Sequence, residues 1–304
     1  MTDNNILMET ALPLPSFIKG KVRDTYLLGD KLLIIASDRI SAFDVILPGG
    51  IHGKGRVLNR ISSFWFEKTA RIIPNHVIEL VEDVSCLDKY LPPEERFHYP
   101  EYLSGRSMVV KRVKRVSVEC VVRGYIAGSA WSEYKKTGTV NGMPMPKGLL
   151  QSQELPEPIF TPTTKGEGEH DRPMTIAELE AMVGKELADK LAEKSLALYK
   201  FGREYARQRG IIIADTKFEF GLDGSELILI DEALTPDSSR FWDEKTYKVG
   251  EAQDSYDKQP VRDYLEAIGW DKEPPGPVLP DEVIKSTTRR YEYAYERITG
   301  IKLV

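Results

Sequence analysis

The densest collection of ionisable side chains in this chain is the run IIIADTKFEFGLDGSELILIDEALTPDSSRFW at 211–242. In an extended strand alternate side chains share a face, so Asp215, Lys217 and Glu219 project together, and Thr216, Phe218 and Phe220 take the other side. A three-residue connection at 222–224, with Gly224 in the left-handed region, would set Asp231 directly opposite Asp215. A two-residue turn would put the two on opposite faces. Three carboxylates beside one lysine repel one another unless a cation lies among them. Hard oxygen donors without cysteine or histidine suit Mg²⁺, which takes one or two carboxylates together with substrate phosphates. The plainer reading is a solvated strand face with incidental charge pairs, and the strongly apolar opposite face argues against it. Beyond the strand, TPDSSRFW at 235–242 sets Arg240 beside Asp237, Ser238 and Ser239. That pattern can serve as an anion clamp, but taken alone it is more often a turn with a surface salt bridge.

Three further groups carry possible chemistry. Lys19-Gly20-Lys21-Val22-Arg23-Asp24 places a glycine among basic residues, where the backbone can approach a phosphate and lysines neutralise it. The same residues read simply as a basic turn. The glycine spacing is wrong for a Walker A loop, and the kinase signatures are missing. VVRGYIAGSAW at 121–131 runs a strand carrying Arg123 into Gly128-Ser129. Ser129 there is either an N-cap or part of a phosphate site at a helix N-terminus that Arg123 reaches. In SDRISAFDVILPGG at 37–50, Ser41 and Asp44 follow an apolar strand, and Asp44 reads either as a turn former or as a polar contact.

The elements that must position these groups are legible from periodicity. Strands are expected at 22–29 and 31–38 about a Gly-Asp turn, at 76–81, at 106–122, and at 211–221 and 225–231. Helices are expected at 56–70, at 176–183 ending in Gly184, at 186–209, and at 281–299. The long helix carries Leu187, Leu191, Leu198, Phe201 and Tyr205 as its apolar stripe, with Gly210 following. The segment 141–175 is rich in Pro, Gly and Thr and reads as a long loop of the kind that covers a site. The proline-rich stretch 270–281 reads as a linker. Strands early and helices late give an α+β fold rather than an alternating parallel sheet.

Composition bounds the rest. With 304 residues the chain makes one large or two modest domains. Its 41% hydrophobic and 29% charged content is that of a globular protein rather than a disordered or coiled-coil one. A formal charge of −5 argues against a nucleic-acid partner, and the short KRVKR run at 111–115, with valines within and beside it, reads as a strand or its edge. No stretch approaches a membrane span, and the acidic N-terminus lacks the form of a secretory signal. Two cysteines and four scattered histidines make neither a disulfide framework nor a zinc site. The expected location is the cytoplasm.

Taken together, GKVRDTY, SDRISAFDVILPGGIHGKG, VVRGYIAGSAWSEY, IIIADTKFEFG, IDEALTPDSSRFW and SYDKQPVRDYL resemble the SAICAR synthetase (phosphoribosylaminoimidazole-succinocarboxamide synthase) family of purine biosynthesis. The matching blocks run from about 19 to 265, nearly the whole chain, in a longer form with extra segments near 84–105 and 250–280. The resemblance implies an ATP- and Mg²⁺-dependent ligase that joins L-aspartate to the carboxylate of carboxyaminoimidazole ribonucleotide (CAIR), releasing ADP and phosphate. It implies a small antiparallel β-domain, about 1–115, and a larger α+β domain, about 116–304, with ATP in the cleft. It implies a monomer. Position by position, Lys21 and Arg23 match ATP phosphate contacts, with Arg23 where the compact form has a lysine. Glu219 and Asp231 match metal and ATP-site carboxylates, with Asp215 beside them. Arg123, Ser129 and Arg240 match the clamp on the CAIR 5′-phosphate, and Ser41 and Asp44 match the block meeting its ring and ribose. Lys217 and Lys165 match lysines near the reacting carboxylate. His170 and Asp171 fall in the loop where aspartate is expected.

The chemistry is coherent with such a site. A carboxylate is a poor electrophile toward an amine, and transfer of the ATP γ-phosphoryl would convert it to an acyl phosphate with a good leaving group. Phosphoryl transfer depends on positioning and charge neutralisation rather than on a protein nucleophile. Asp215 or a neighbouring carboxylate is a candidate to deprotonate the aspartate amine, without the sequence singling one out. A small-molecule kinase acting on a sugar phosphate and a silent nucleotide-binding protein are the alternatives. ATP turnover with CAIR, with and without aspartate, separates the three.

Overall fold

The computed structural model describes residues 6–165, 172–256 and 258–303. The chain divides into two compact units, one from residues up to 64, 76–112 and the C-terminal segment after 256, the other from 65–75 and 113–256.

In the first unit, β1 (Ser16–Lys19), β2 (Arg23–Leu28), β3 (Lys31–Ala36), β4 (Arg39–Ala42) and β5 (Val45–Gly50) precede α1 (Lys54–Thr69), within which the chain passes to the second unit. β6 (Val77–Val81) and β7 (Ser107–Lys111) complete an antiparallel sheet of order β1-β2-β3-β7-β6, while β4 and β5 pair separately. The expected Gly29-Asp30 turn is present, with Leu28 paired to Lys31. Alternation along β2 and β3 sends Tyr26, Leu28, Leu33 and Ile35 into one core with Val81, Leu103 and Val109.

The strand expected at 106–122 is interrupted at Arg112 and Val113, where the chain passes back into the second unit. There β8 (Lys114–Arg115), β9 (Val118–Tyr125), α2 (Gly128–Thr137) and the small hairpin β10 (Thr139–Val140) and β11 (Met143–Pro144) lead to β12 (Glu154–Phe160) and β13 (Thr163–Thr164). The expected loop at 141–175 therefore contains strands. Pro156 and Pro158 hide β12 in the sequence; it lies at a sheet edge, where missing N–H groups cost least, and its register against β9 slips between Glu154 and Ile159.

α3 (Ile176–Val183) starts at a capping box, the Thr175 hydroxyl accepting from the Glu178 amide and the Glu178 carboxylate from Thr175. α4 (Lys185–Arg207) lies against β14 (Ile211–Asp223) and buries Ala188, Leu191, Ser195, Leu198, Tyr199, Gly202 and Ala206. The expected stripe thus holds at Leu191 and Leu198. Its other aromatic members, Phe201 and Tyr205, instead flank the helix and meet the buried Trp65 edge-on, at centroid distances of 6.4 and 5.3 Å.

The sheet of this unit runs β12-β9-β14-β15, with β15 (Glu226–Ile230), and β16 (Ser239–Asp243), β8 and β13 pair at its flanks. The chain ends in α5 (Gln259–Ala267) and α6 (Asp281–Thr299), which belong with the first unit rather than with a single 116–304 domain. The cause is the apolar face of α6, Tyr291, Ala294, Tyr295 and Ile298, which is buried there; the Lys54 ammonium of α1 lies 5.6 Å from the Tyr291 ring.

Candidate active site

The centre of the second unit's sheet carries two groups of charge on one face. At the first, Asp215 of β14 is the register partner of Arg123 on β9 and of Arg240 on β16. A buried carboxylate thus stands between two guanidinium groups. Arg123 Nη1 donates to Asp215 Oδ2 at 3.1 Å, and Arg240 Nη1 donates to the same oxygen. Arg123 is fixed further by the Thr161 hydroxyl at 3.1 Å and reaches the Ser129 hydroxyl at 3.3 Å. Burial draws the Arg123 guanidinium below its ordinary pKa, and the Asp215 carboxylate opposes that shift.

Ser129 is the second residue of α2 rather than its N-cap. Ala127 occupies the cap and offers no side-chain acceptor, so the first turn's N–H groups stand beside the two arginines without a side-chain cap. Gly128 opens that turn at φ +58°, and a Cβ there would overlap the Arg240 guanidinium. A glycine is required at this point for both reasons.

The second group lies further along β14. Lys217 Nζ donates to Glu119 Oε2 of β9 at 2.8 Å. Lys165, just past β13, donates to Glu119 Oε1 at 3.3 Å and to Glu219. The β9–β14 register, continued one step beyond Phe218 and Cys120, sets Glu219 across from Glu119. Two carboxylates so placed repel, and the Lys165 ammonium between them relieves it. Burial alone would raise the Glu119 pKa, but Lys217 and Lys165 outweigh it and hold the group below the usual carboxylate range. Lys165 is shifted the other way: burial would lower its pKa, and the charges of Glu219, Asp231 and Glu119 raise it above the ordinary lysine value.

The expected meeting of Asp231 with Asp215 does not form. Asp223 pairs with Glu226, so the hairpin turns on two residues, Gly224 and Ser225, and Glu219 faces Ile230. Asp231 lies just past the end of β15 at φ +67° and acts on Lys165, while Asp215 belongs to the two arginines. Among the described residues no group of three His, Cys, Asp or Glu side chains comes together to hold a metal ion, so the three-carboxylate set Asp215, Glu219 and Asp231 is not assembled.

The remaining candidates lie in the first unit or outside the described residues. Lys21, in the turn before β2, pairs with Asp44 at 2.5 Å, and Asp44 occupies the β4–β5 turn at φ +65°. Arg23 opens β2 opposite Ala36, and Ser41 lies in β4 opposite Ile46. Lys19, Gly20, Asp24 and Arg39 border a cavity of about 640 Å³ with Val45–Pro48 and 274–276. His170 and Asp171 lie outside the described residues.

The SAICAR synthetase family model matches residues 16–277. The chain belongs to the SAICAR synthetase family. A phosphoribosylaminoimidazole-succinocarboxamide synthase of Thermodesulfovibrio yellowstonii is 49% identical over 297 residues, covering 97% of this chain and 99% of its own. One from Geobacter sulfurreducens is 52% identical over 283 residues, 93% of each chain. Among solved structures, a SAICAR synthase of Saccharomyces cerevisiae complexed with SAICAR superposes with a TM-score of 0.89 at 46% identity, over 98% of this chain and 99% of that one. The Pyrococcus horikoshii SAICAR synthetase, at 24% identity and a TM-score of 0.64, shares the fold. The activity of the family is the ATP-dependent ligation of L-aspartate to CAIR in purine biosynthesis, and the chain is a ligase of this kind acting on small molecules.

Glu119 and Thr161 are the residues of this candidate site that the sequence does not single out. Glu119 had a signal: it stands four residues before Arg123 in a strand otherwise made of apolar residues, so it shares that residue's face. Thr161 carried none, because the strand that delivers it was hidden by prolines.

Proposed function

We propose that the ligation runs through an acyl phosphate of CAIR, with the two charge groups along β14 divided in role, one gripping the CAIR phosphate and the other serving the reacting carboxylate and ATP. The observation that carries this is their opposite surplus: two guanidiniums about one carboxylate at Asp215, and three carboxylates about two ammonium groups around Lys165. The Arg123, Arg240 and Ser129 group, with the uncapped start of α2, takes the 5′-phosphate of CAIR. Asp215 holds both guanidiniums together and oriented. Lys217 and Lys165 hold the CAIR carboxylate as its oxygen attacks the ATP γ-phosphorus and ADP leaves. They then stabilise the oxyanion that forms when the aspartate amine adds and expels phosphate. Lys21 and Arg23 contact the ATP phosphates, and Ser41 and Asp44 contact the CAIR ring and ribose.

A magnesium ion fits Glu219 and Asp231. Their hard oxygen donors supply the one or two carboxylates that Mg²⁺ uses beside phosphate oxygens, and both act on the Lys165 ammonium, Glu219 by a direct ion pair and Asp231 through its charge. Bound there, the ion would neutralise phosphate charge on ATP. A cytoplasmic monomer completes the proposal. The location is supported by two cysteines that are not joined in a disulfide, Cys120 fully buried, and the monomer by the resemblance to the longer form of the family.

The test of the acyl phosphate is trapping with hydroxylamine in place of aspartate. ATP, CAIR and hydroxylamine should yield ADP and the CAIR hydroxamate. No hydroxamate, with ADP release strictly requiring aspartate, would contradict it.

A further inference from the structure

The turn that carries Lys21 is held from behind by one buried guanidinium. Arg39, at the start of β4, uses all five of its N–H donors inside the first unit. Its Nε donates to the Lys21 carbonyl at 3.1 Å. Its Nη1 donates to the Met8 carbonyl at 2.7 Å and to Asp24 Oδ2 at 3.1 Å. Its Nη2 donates to the Gly20 carbonyl at 3.0 Å and to Asp24 Oδ1 at 2.7 Å. The next carbonyl, Val22, accepts from the Ser37 amide at 2.9 Å and its hydroxyl at 2.8 Å. Three successive carbonyls of the turn are therefore drawn onto Arg39 and Ser37. Asp24 is itself fixed by the Thr10 hydroxyl at 2.8 Å, and both members of the Arg39–Asp24 pair are buried. The turn is tight enough that a Cβ on Gly20 would lie 2.9 Å from the Arg23 carbonyl oxygen.

We propose that Arg39 is a positioning residue for the ligase reaction: through the Gly20 and Lys21 carbonyls it fixes where Lys21 and Arg23 stand, and so sets the affinity for ATP without touching the nucleotide. This rests on the reading that Lys21 and Arg23 contact the ATP phosphates. With every donor engaged, Arg39 has none left for a ligand. Its planar fork spans two carbonyls and a carboxylate at once. A lysine has three donors on one nitrogen and can keep the charge pair with Asp24 but not both carbonyls of the turn. Arg39→Lys thus retains the buried charge and frees the turn.

The experiment is steady-state kinetics on Arg39→Lys, Lys21→Ala and the double variant, with each substrate varied in turn and the folded fraction measured by circular dichroism. Arg39→Lys should raise the KM for ATP about tenfold, the scale of one charge-assisted hydrogen bond, and leave the KM values for CAIR and aspartate within about twofold. Lys21→Ala should raise the KM for ATP as well. The double variant should exceed Lys21→Ala by less than the full Arg39→Lys effect, because Arg39 acts only through the turn and Arg23 alone then remains to be displaced. Ser37→Ala, a milder release of the same turn, should raise the KM for ATP about threefold and carries the test if Arg39→Lys does not fold. An unchanged KM for ATP in folded Arg39→Lys, beside a raised one in Lys21→Ala, overturns the inference and spares the assignment of Lys21. An unchanged KM in Lys21→Ala overturns that assignment itself. Full additivity in the double variant also overturns the inference.

Discussion

The two ends of the functional face along β14 are four residues apart, about 13 Å at strand rise, yet they differ in charge balance and in burial. At Asp215 the carboxylate is buried and serves two arginines. At Lys217 the side chain is half exposed, and the neighbouring carboxylates outnumber the ammonium groups. A face built for stability alone would neutralise each group locally. Opposite surpluses on one strand suit a reaction that must hold an anionic ribonucleotide at one end and handle the charge of ATP and its cation at the other. On the proposed reading the contrast also divides labour: the buried end is locked before substrate arrives, and the open end keeps an ammonium within reach of it.

The largest effect expected from breaking the contrast is at its acidic end. Asp231→Asn keeps shape and removes charge, and should lower kcat/KM for Mg²⁺–ATP by on the order of 100-fold or more, read by varying Mg²⁺–ATP at saturating CAIR and aspartate. Wild-type turnover and Mg²⁺–ATP binding in that variant would remove Asp231 from the metal and ATP site. At the positive end, Asp215→Asn leaves two guanidiniums facing each other across a neutral amide. Urea denaturation should show a loss of about 3 kcal/mol, partly restored by CAIR because its phosphate replaces the missing negative charge. A variant of full stability, or one that CAIR fails to rescue, would separate Asp215 from the anion site.

The smallest effect lies in pH dependence. Glu119 has a folded pKa below its ordinary value of 4.5, so its contribution is present above that pH and is lost as pH falls through the folded value. The stability gap between wild type and Glu119→Gln, followed by urea titration, should therefore narrow below about pH 4.5. A gap constant down to about pH 3 would mean that the Glu119 charge does not hold the two lysines.

Much of this face was legible in the sequence because strand alternation is a strict rule. Asp215, Lys217 and Glu219 do share a face, and Phe218 and Phe220 are buried on the other. The pairing of that strand was not legible, because it turned on one residue of turn length. With Gly224-Ser225 as a two-residue turn, Asp231 cannot face Asp215, and the cross-strand partners come from β9 and β16, far apart in sequence. The helix of α4 was clear from its period, but its buried line is turned by about one residue because Trp65 takes Phe201 and Tyr205 to one side. β12 was hidden by Pro156 and Pro158, since proline penalises an interior strand and says little about an edge. The membership of α6 in the first unit was invisible because a proline-rich segment fixes no direction of return.

The central claim, that Arg123 and Arg240 grip the ribonucleotide phosphate and not ATP, is tested most directly on Arg240→Ala with CAIR and with its dephosphorylated riboside. Wild type should favour CAIR strongly over the riboside. Arg240→Ala should weaken CAIR by roughly 10- to 150-fold, the scale of a charge-assisted phosphate contact, with less loss in kcat, and should leave the riboside and the KM for ATP nearly unchanged. Arg240→Lys should recover only part, lacking the planar fork. An unchanged KM for CAIR beside a raised KM for ATP would contradict the account and move Arg240 to the nucleotide.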